Sequence, residues 1–223
     1  MKFKKHTSDE MVELFNKRPF QGQIPEKAKI IFLSSDANYS PEISKDPFFK
    51  CIIKYQEDGI AFWEKEGCHH PFMLKNFPKD FDRRKDGVPF HRNVSKLGLQ
   101  AKPHAEHISF LETLDVPTIG NKSEDKKLFF DLICQDHLKY IDRLVCDGGH
   151  KLFIISKGVL DDINKIKKIY PNLFSWYDNP PQGGRFLIEI NGNKIKEFYH
   201  FSSSQIHSQI PEVRSEIDEW LKE

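Results

Sequence analysis

The chain has 223 residues, 38% of them hydrophobic, which is enough to bury one substantial core, and no low-complexity linker divides it. We therefore expect a single domain that spans residues 1–223. The 34 Lys and Arg residues nearly balance 33 Asp and Glu residues, and the net charge of +1 excludes binding of polyanions through bulk electrostatics alone.

The N-terminus and the cysteines indicate the compartment. MKFKKHTSDEM is basic, but no apolar segment follows it, and no run of about 18 apolar residues occurs anywhere. The four cysteines include no C-x-x-C pair, as expected of free thiols in a reducing compartment. Cys68, His69 and His70 are consecutive, and such residues rarely converge on one metal. We expect a cytoplasmic monomer with no membrane partner and no metal.

Three apolar runs predict buried strands of a parallel sheet. The first is KIIFL, Lys29 to Leu33, and similar runs lie at His107 to Leu114 and Lys151 to Ser156. Between the last two, Lys126 to Val145 has apolar residues at helical spacing, which predicts a helix that packs on the core. Strands and helices therefore alternate along the chain.

The C-terminal part predicts a hairpin and a final helix. RFLIEINGNKIKEFYHF places Asn191 and Gly192 between two alternating segments, a strong hairpin signal whose second arm is the last strand. SQIPEVRSEIDEWLKE has Pro211 in its first turn and predicts an amphipathic helix. The whole order predicts an α/β fold with a central, mainly parallel four-stranded sheet flanked by helices, and an extra hairpin strand near the C-terminus.

Polar residues follow the first and last predicted strands, where ligands of open α/β sheets bind. These residues are Ser34 to Tyr39 and His200 to Ser204. Asp36 and His200 can therefore meet over one cleft, where a carboxylate and an imidazole suit acid–base or electrostatic catalysis. In the structural alternative, Asp36 caps the following helix and His200 is a satisfied histidine at a strand end.

Both segments resemble motifs of the uracil-DNA glycosylase superfamily. In one branch the first motif reads Gly-Gln-Asp-Pro-Tyr-His and the last reads His-Pro-Ser-Pro-Leu. The corresponding residues here are Ser34-Ser35-Asp36-Ala37-Asn38-Tyr39 and His200-Phe201-Ser202-Ser203-Ser204. DGVPFHRNVSKLGL, Asp86 to Leu99, is similar to the Gly-x-Pro-Phe segment of other branches. The resemblance spans about Lys29 to Ser204, although the glycine and prolines of the two end motifs are replaced.

The resemblance implies a DNA glycosylase, a hydrolase that flips a damaged or deaminated base out of DNA and cleaves its N-glycosidic bond. It makes Asp36 the group that positions water and stabilises a cationic sugar, His200 the donor to the departing base, and Phe90 the stacking face. Its further substrate-binding residues are Ser34, Ser35, Asn38, Tyr39, Ser202 and Ser203, with Gln205 or Ile206 filling the gap left by the flipped base. We expect no cofactor, because the iron-sulfur cluster of one branch needs a C-x-x-C pair.

The end of the second strand bears on the choice of base. Several branches place an asparagine there to pair with uracil, but SFLETLDVPT has none, and Glu112 is the nearest match, with Leu111 or Thr113 if the register slips by one. An ionised Glu112 would face O4 of uracil with a negative oxygen. Uracil is then a poor substrate, and a base with an additional donor, or a protonated Glu112, fits better. In the structural alternative, Glu112 points away and pairs with a lysine.

A second function class is a catalytically weak or inactive module that keeps the fold and binds nucleic acid or a protein partner. The near-neutral charge and the altered first motif favour it, whereas Asp36, Phe90 and His200 favour the enzyme. For a DNA partner we expect local phosphate contacts on the serine loops and on the basic stretch Lys79 to Arg92, which is otherwise a solvated face.

Overall fold

The computed structural model describes residues 2–81, 87–178 and 185–222. Its strands are β1 Lys4–Lys5, β2 Phe20–Gly22, β3 Ile30–Ser34, β4 Ile108–Glu112, β5 Thr118–Ile119, β6 Leu152–Ser156, β7 Leu187–Ile190 and β8 Asn193–Phe198. Its α-helices are α1 Asp9–Lys17, α2 Phe49–Glu57, α3 Gly59–Glu66, α4 Val88–Ser95, α5 Ala101–His104, α6 Lys126–Asp131, α7 Gln135–Cys146, α8 Lys157–Ile169 and α9 Ile210–Trp220. Short 3₁₀ turns lie at Ile43–Lys45, Pro71–Met73, Lys79–Phe81, Lys122–Glu124, Ser175–Tyr177 and Ser204–Ser208.

The main sheet has the strand order β2-β4-β3-β6-β8-β7. Its four central strands are parallel, and β2 and β7 pair antiparallel at the two edges. The α/β class and the mainly parallel sheet are confirmed, but the predicted number of four strands is wrong, because the described residues form a six-stranded sheet. β7 is the expected hairpin strand. β2 has only three residues and no alternating pattern, so no strand is predicted there from the sequence.

The parallel strands are apolar throughout because helices cover both faces of the sheet. Every residue of β3, β4 and β6 is buried. On one face, Leu33 and Ile155 pack against α7 and α8. On the other face, Phe32 and Phe110 stack with ring centroids 5.1 Å apart, in a cluster that includes residues of α4 and α9. Each such side chain contributes about 1.5–3 kcal/mol when fully buried.

The hairpin and the terminal helix are confirmed. Asn191 and Gly192 have φ values of 49° and 82°, and positive φ at both central residues is the signature of the tight turn that joins two twisted strands. Pro211 lies in the first turn of α9. β8 pairs in parallel with β6, which pairs in parallel with β3, so β8 and β3 end at the same edge of the sheet.

The single helix predicted over Lys126 to Val145 is two helices in the structure, α6 and α7. Cys134 has an extended backbone, with φ −93° and ψ 117°, and separates them. The break lets the two parts face different cores: Phe129 of α6 packs with Phe3, whereas Leu138 of α7 packs on the main sheet.

Candidate active site

A cavity of about 300 Å³ opens at the carboxyl ends of β3 and β4. It is lined by most of the residues that the sequence singles out, namely Asp36, Phe90, Glu112, His200, Ser34, Ser35, Asn38, Tyr39 and Ser202. The two ends of the chain meet here because β3 and β8 are parallel and separated only by β6. The expectation that Asp36 and His200 face one cleft is therefore met.

Backbone hydrogen bonds hold the loop that carries Asp36. They join this loop to the segment after β4, from Thr113 N–H to Ser34 O (2.9 Å), Leu114 N–H to Ser35 O (3.1 Å), Thr118 N–H to Ala37 O (2.9 Å) and Tyr39 N–H to Thr118 O (2.9 Å). The backbone groups of the residues after β3 thus hydrogen-bond to the segment after β4. These main-chain contacts on both sides fix the position of Asp36.

Helix α4 is tied to both motif loops, which places Phe90 between them. The backbone N–H of Gly87 donates to Asn38 O at 3.0 Å, and the side-chain amide of Asn93 donates to Phe201 O at 2.5 Å. The ring centroid of Phe90 consequently lies 5.8 Å from that of His200. No sequence pattern marks Asn93 as a positioning residue, because its partner is a backbone carbonyl far along the chain.

Asp36 makes a side-chain hydrogen bond inside the cavity. Its Oδ2 accepts from Thr118 Oγ1 at 2.5 Å, and it caps no helix among the described residues, so the capping alternative is wrong. Burial raises the pKa of the carboxyl, while the Thr118 hydroxyl and the nearby Lys122 act in the opposite direction.

His200 presents a neutral ring with a defined donor. Its Nδ1 accepts from the Ser202 N–H at 3.1 Å, which assigns the proton of the neutral ring to Nε2. The residue is exposed at the rim of the cavity, but its imidazole ring is largely desolvated by the surrounding residues. This desolvation, and then the positive charge of Lys122, lower the pKa of His200 to about 4. His200 is therefore neutral at pH 7, with an N–H available as a donor.

Glu112 lies deeper than Asp36 and has fewer polar partners. It is 5% exposed, its Oε1 has only a long 3.5 Å contact with Ser34 Oγ, and its Oε2 has no partner among the described residues. Burial, and then the charge of Asp36, raise its pKa to about 8. Of the two forms that the sequence leaves open, this pKa favours the protonated one at neutral pH. The lysine-paired alternative is wrong, because neither carboxyl oxygen contacts a lysine among the described residues. Asp36 is more exposed and accepts a short hydrogen bond from a hydroxyl, and both features favour its ionised form relative to that of Glu112.

Lys122 is a residue of the cavity wall that the sequence did not indicate. Its Nζ donates to Ser35 Oγ at 2.6 Å and forms a salt bridge with Asp162 of α8. The Ser35 hydroxyl therefore hydrogen-bonds to both partners of this salt bridge: it accepts from Lys122 and donates to Asp162 Oδ2 at 3.2 Å. No motif surrounds Lys122 in the sequence, and its contacts depend on the packing of α8.

Three buried histidines, His69, His70 and His91, cluster beside the cavity, and His70 and His91 line it. The rings of His70 and His91 stack with centroids 3.6 Å apart, and His69 Nε2 lies 3.2 Å from His91 Nδ1. Burial lowers the pKa of all three rings, that of His69 to about 3. His91 was expected in a basic DNA-binding stretch, and that assignment is wrong because its ring is buried and neutral. Arg83, Arg84 and Lys85 of the same stretch lie outside the described residues.

The last motif contributes fewer binding groups than the resemblance implies. Of the expected residues, Ser203, Gln205 and Ile206 are absent from the described lining of the cavity. Ile206 is fully buried and cannot fill a gap in DNA, because its side chain belongs to the hydrophobic cluster that includes Phe201 and Val213. Ser203 instead caps the turn that follows it, accepting from the Gln205 N–H at 3.2 Å.

Two residues of the first motif are also used internally. The amide of Asn38 donates to Gly120 O, and the hydroxyl of Tyr39 accepts from Gln21 Nε2 at 2.8 Å. Both side chains line the cavity, but these bonds hold its wall.

Comparison with known protein families, with curated proteins and with solved structures found no match. Over residues 2–81, 87–178 and 185–222, no helix is long and apolar enough to cross a membrane. Within the same ranges, no group of three or more His, Cys, Asp and Glu side chains is placed to hold a metal ion.

Proposed function

We propose that this protein has a uracil-DNA glycosylase-like fold and hydrolyses the N-glycosidic bond of a base flipped out of DNA. The observation that carries the proposal is that Asp36, Phe90 and His200, drawn from three distant segments, line one cavity. The motif resemblance implies complementary roles for these three residues. A cavity of about 300 Å³ has the volume of a small-ligand pocket and is lined on one side by an aromatic face, as a flipped base requires.

The reaction separates charge, and the cavity has a group for each sign. As the bond between C1′ and the base nitrogen breaks, its electron pair leaves with the base, and the sugar becomes cationic. The ionised Asp36 stabilises that cation and orients the water that attacks C1′, and the proton released by the water passes to the carboxylate or to solvent. The Nε2–H of His200 donates to the oxygen of the departing base anion. The products are a free base and an abasic sugar.

A neutral histidine suits this role. His200 Nε2–H remains a donor over the whole range above its lowered pKa of about 4. A fixed donor aimed at a developing anion contributes without reorganisation during the reaction, because its direction is set by the Ser202 contact at Nδ1.

The test is excision from oligonucleotides that contain uracil, xanthine, hypoxanthine or oxidised pyrimidines, with abasic sites as the readout. His200→Ala should lower the single-turnover rate by roughly 10²-fold to 10³-fold, as for loss of an oxyanion donor, and Asp36→Asn should lower it at least as much. DNA affinity should change far less. The matched controls are His107→Gln, at the opposite end of β4, and Asp136→Asn, exposed on α7. Unchanged excision in both site variants would overturn the catalytic assignment.

DNA binding without excision of any base would favour the second function class, a binding module. For either class the contacts are local, so log affinity should fall linearly with log salt. Ser202, exposed beside His200, is the serine best placed to meet a phosphate next to the flipped nucleotide.

A further inference from the structure

Lys122 is the single lysine or arginine among the described residues that line the cavity. Its ammonium group has two acceptors: it donates to Ser35 Oγ at 2.6 Å and forms a salt bridge with Asp162 of α8. The side chain of Asp162 is 9% exposed, whereas that of Lys122 is 29% exposed. Asp162 is absent from the described lining, so the lysine is the member of this pair that borders the cavity.

The segment that carries Lys122 also holds Asp36. Thr118 Oγ1 donates to Asp36 Oδ2 at 2.5 Å, and four residues later Lys122 donates to Ser35, which directly precedes Asp36. One short segment therefore binds the carboxylate through a hydroxyl and the neighbouring serine through a cation. The Ser35 hydroxyl gives its proton to Asp162, so it positions this cation and does not offer a donor to a phosphate.

The packing around Lys122 gives its cation a fixed place. Asp162 is buried, and a buried carboxylate requires a cationic partner because an unpaired charge in the interior is costly. The ring of Phe129 from α6 lies 5.2 Å from Lys122 Nζ and adds a cation–π contact. The loop after β3, α6 and α8 thus hold one ammonium group. Such a preorganised charge can act on neighbouring groups without moving during a reaction.

We propose that Lys122 is a positioning residue of the hydrolytic reaction, whose fixed cation keeps Asp36 in its anionic form and His200 in its neutral form. This inference rests on the proposed function and adds to it the control of protonation in the same site. The charge separation needs these two forms, an anion beside the sugar cation and a neutral donor to the departing base. Lys122 acts through these two groups and not on the bond that breaks.

The charge of Lys122 acts on each group with the sign that this role requires. Burial raises the pKa of Asp36, and the positive charge of Lys122 opposes that rise because it favours the carboxylate. Burial lowers the pKa of His200 to about 4, and the same charge adds to this effect because it disfavours an imidazolium. Asp162 acts on Asp36 in the opposite direction, but its effect is smaller than that of Lys122.

Four further titratable groups belong to the described lining, and none of them supplies a positive charge near pH 7. They are Tyr39, His70, His91 and Glu112. Burial raises the pKa of the tyrosine and lowers that of both histidines, so all three are neutral. Burial, and then the charge of Asp36, raise the pKa of the glutamate to about 8. Removal of Lys122 therefore takes away the positive charge of the described lining.

The experiment compares the wild type with Lys122→Met in two measurements, each from about pH 3.5 to pH 8. The first is an NMR titration of the His200 ring, assigned with His200→Gln. The midpoint should rise above about 4 but stay below 6.5, because burial, the larger cause, remains. The second is the single-turnover rate of base excision. Its acid limb, along which protonation of one essential carboxylate lowers the rate about tenfold per pH unit, should move to higher pH.

Further variants separate the charge from the fold. Lys122→Met combined with Asp162→Asn leaves no buried carboxylate without a partner, and both readouts should still move upwards because the effect of Lys122 exceeds that of Asp162. Lys122→Arg keeps the charge and should retain the wild-type midpoint and acid limb. The matched control is Lys127→Met with Asp131→Asn, an exposed pair on α6, which should leave both readouts unchanged.

A His200 midpoint that stays in place without Lys122, or an acid limb of excision that does not move, would overturn the inference. A midpoint that rises in a protein that excises no base would refute the proposed function and leave the control of protonation by Lys122 supported. Excision with an unmoved midpoint and acid limb would do the reverse.

Discussion

Replacing Glu112 by glutamine should alter the pH dependence of stability in a way that the structure quantifies. The pKa of Glu112 rises from 4.5 in the unfolded chain to about 8 in the folded protein. Between these values folding takes up a proton, so the stabilising contribution is fully present below pH 4.5 and is lost as the pH rises towards 8. Each pH unit costs about 1.4 kcal/mol, which amounts to about 4 kcal/mol between pH 5 and pH 8.

The assay is urea unfolding followed by circular dichroism at several pH values from 5 to 8. The free energy of unfolding of Glu112→Gln relative to the wild type should rise by about 4 kcal/mol across this range, and using the change with pH removes any constant difference between amide and carboxyl. Glu189→Gln, at an exposed position on β7, is the control and should follow the wild-type curve. Parallel curves for Glu112→Gln and the wild type would refute the protonated, buried Glu112.

Further predictions concern the histidines, the last motif and the stacking face. Burial lowers the pKa of His69 from 6.5 to about 3, so below pH 6.5 the unfolded chain binds a proton that the folded protein does not, and the free energy of unfolding falls towards low pH. In urea titrations, His69→Gln should reduce the dependence of this free energy on pH by about 1.4 kcal/mol per pH unit. Ile206→Ala should destabilise the fold by about 2–5 kcal/mol and Gln205→Ala by less than about 0.5, as thermal or urea unfolding will show; equal effects would contradict a buried Ile206. Phe90→Ala should weaken base binding by about 1–3 kcal/mol in calorimetry, and unchanged affinity would exclude a stacking role.

The parallel centre of the sheet was predictable because strands covered on both faces are apolar throughout, as in β3 and β6. β2 was not predictable: three residues carry no periodicity, and their pairing depends on β4. The break between α6 and α7 was not predictable, because a single apolar stripe does not show that its two halves face different cores. Local pattern thus gave the elements, and tertiary packing decided their edges.

The candidate site divides in the same way. Asp36, Phe90 and His200 stand in recognisable motifs, so the sequence could bring them together. Gln21 and His70 reach the cavity through packing, and no motif marks them. The protonation of Glu112 depends on its burial and on Asp36, neither of which a sequence displays.

The most direct test of the proposed activity is to incubate the protein with a uracil-containing and a xanthine-containing oligonucleotide and to measure both free base and abasic sites. The proposal predicts equal amounts of the two products from at least one substrate, and a release rate that Asp36→Asn lowers at least as much as the roughly 10²-fold to 10³-fold loss expected for an oxyanion donor. Absence of free base from both substrates, or release that persists undiminished in Asp36→Asn, would contradict it.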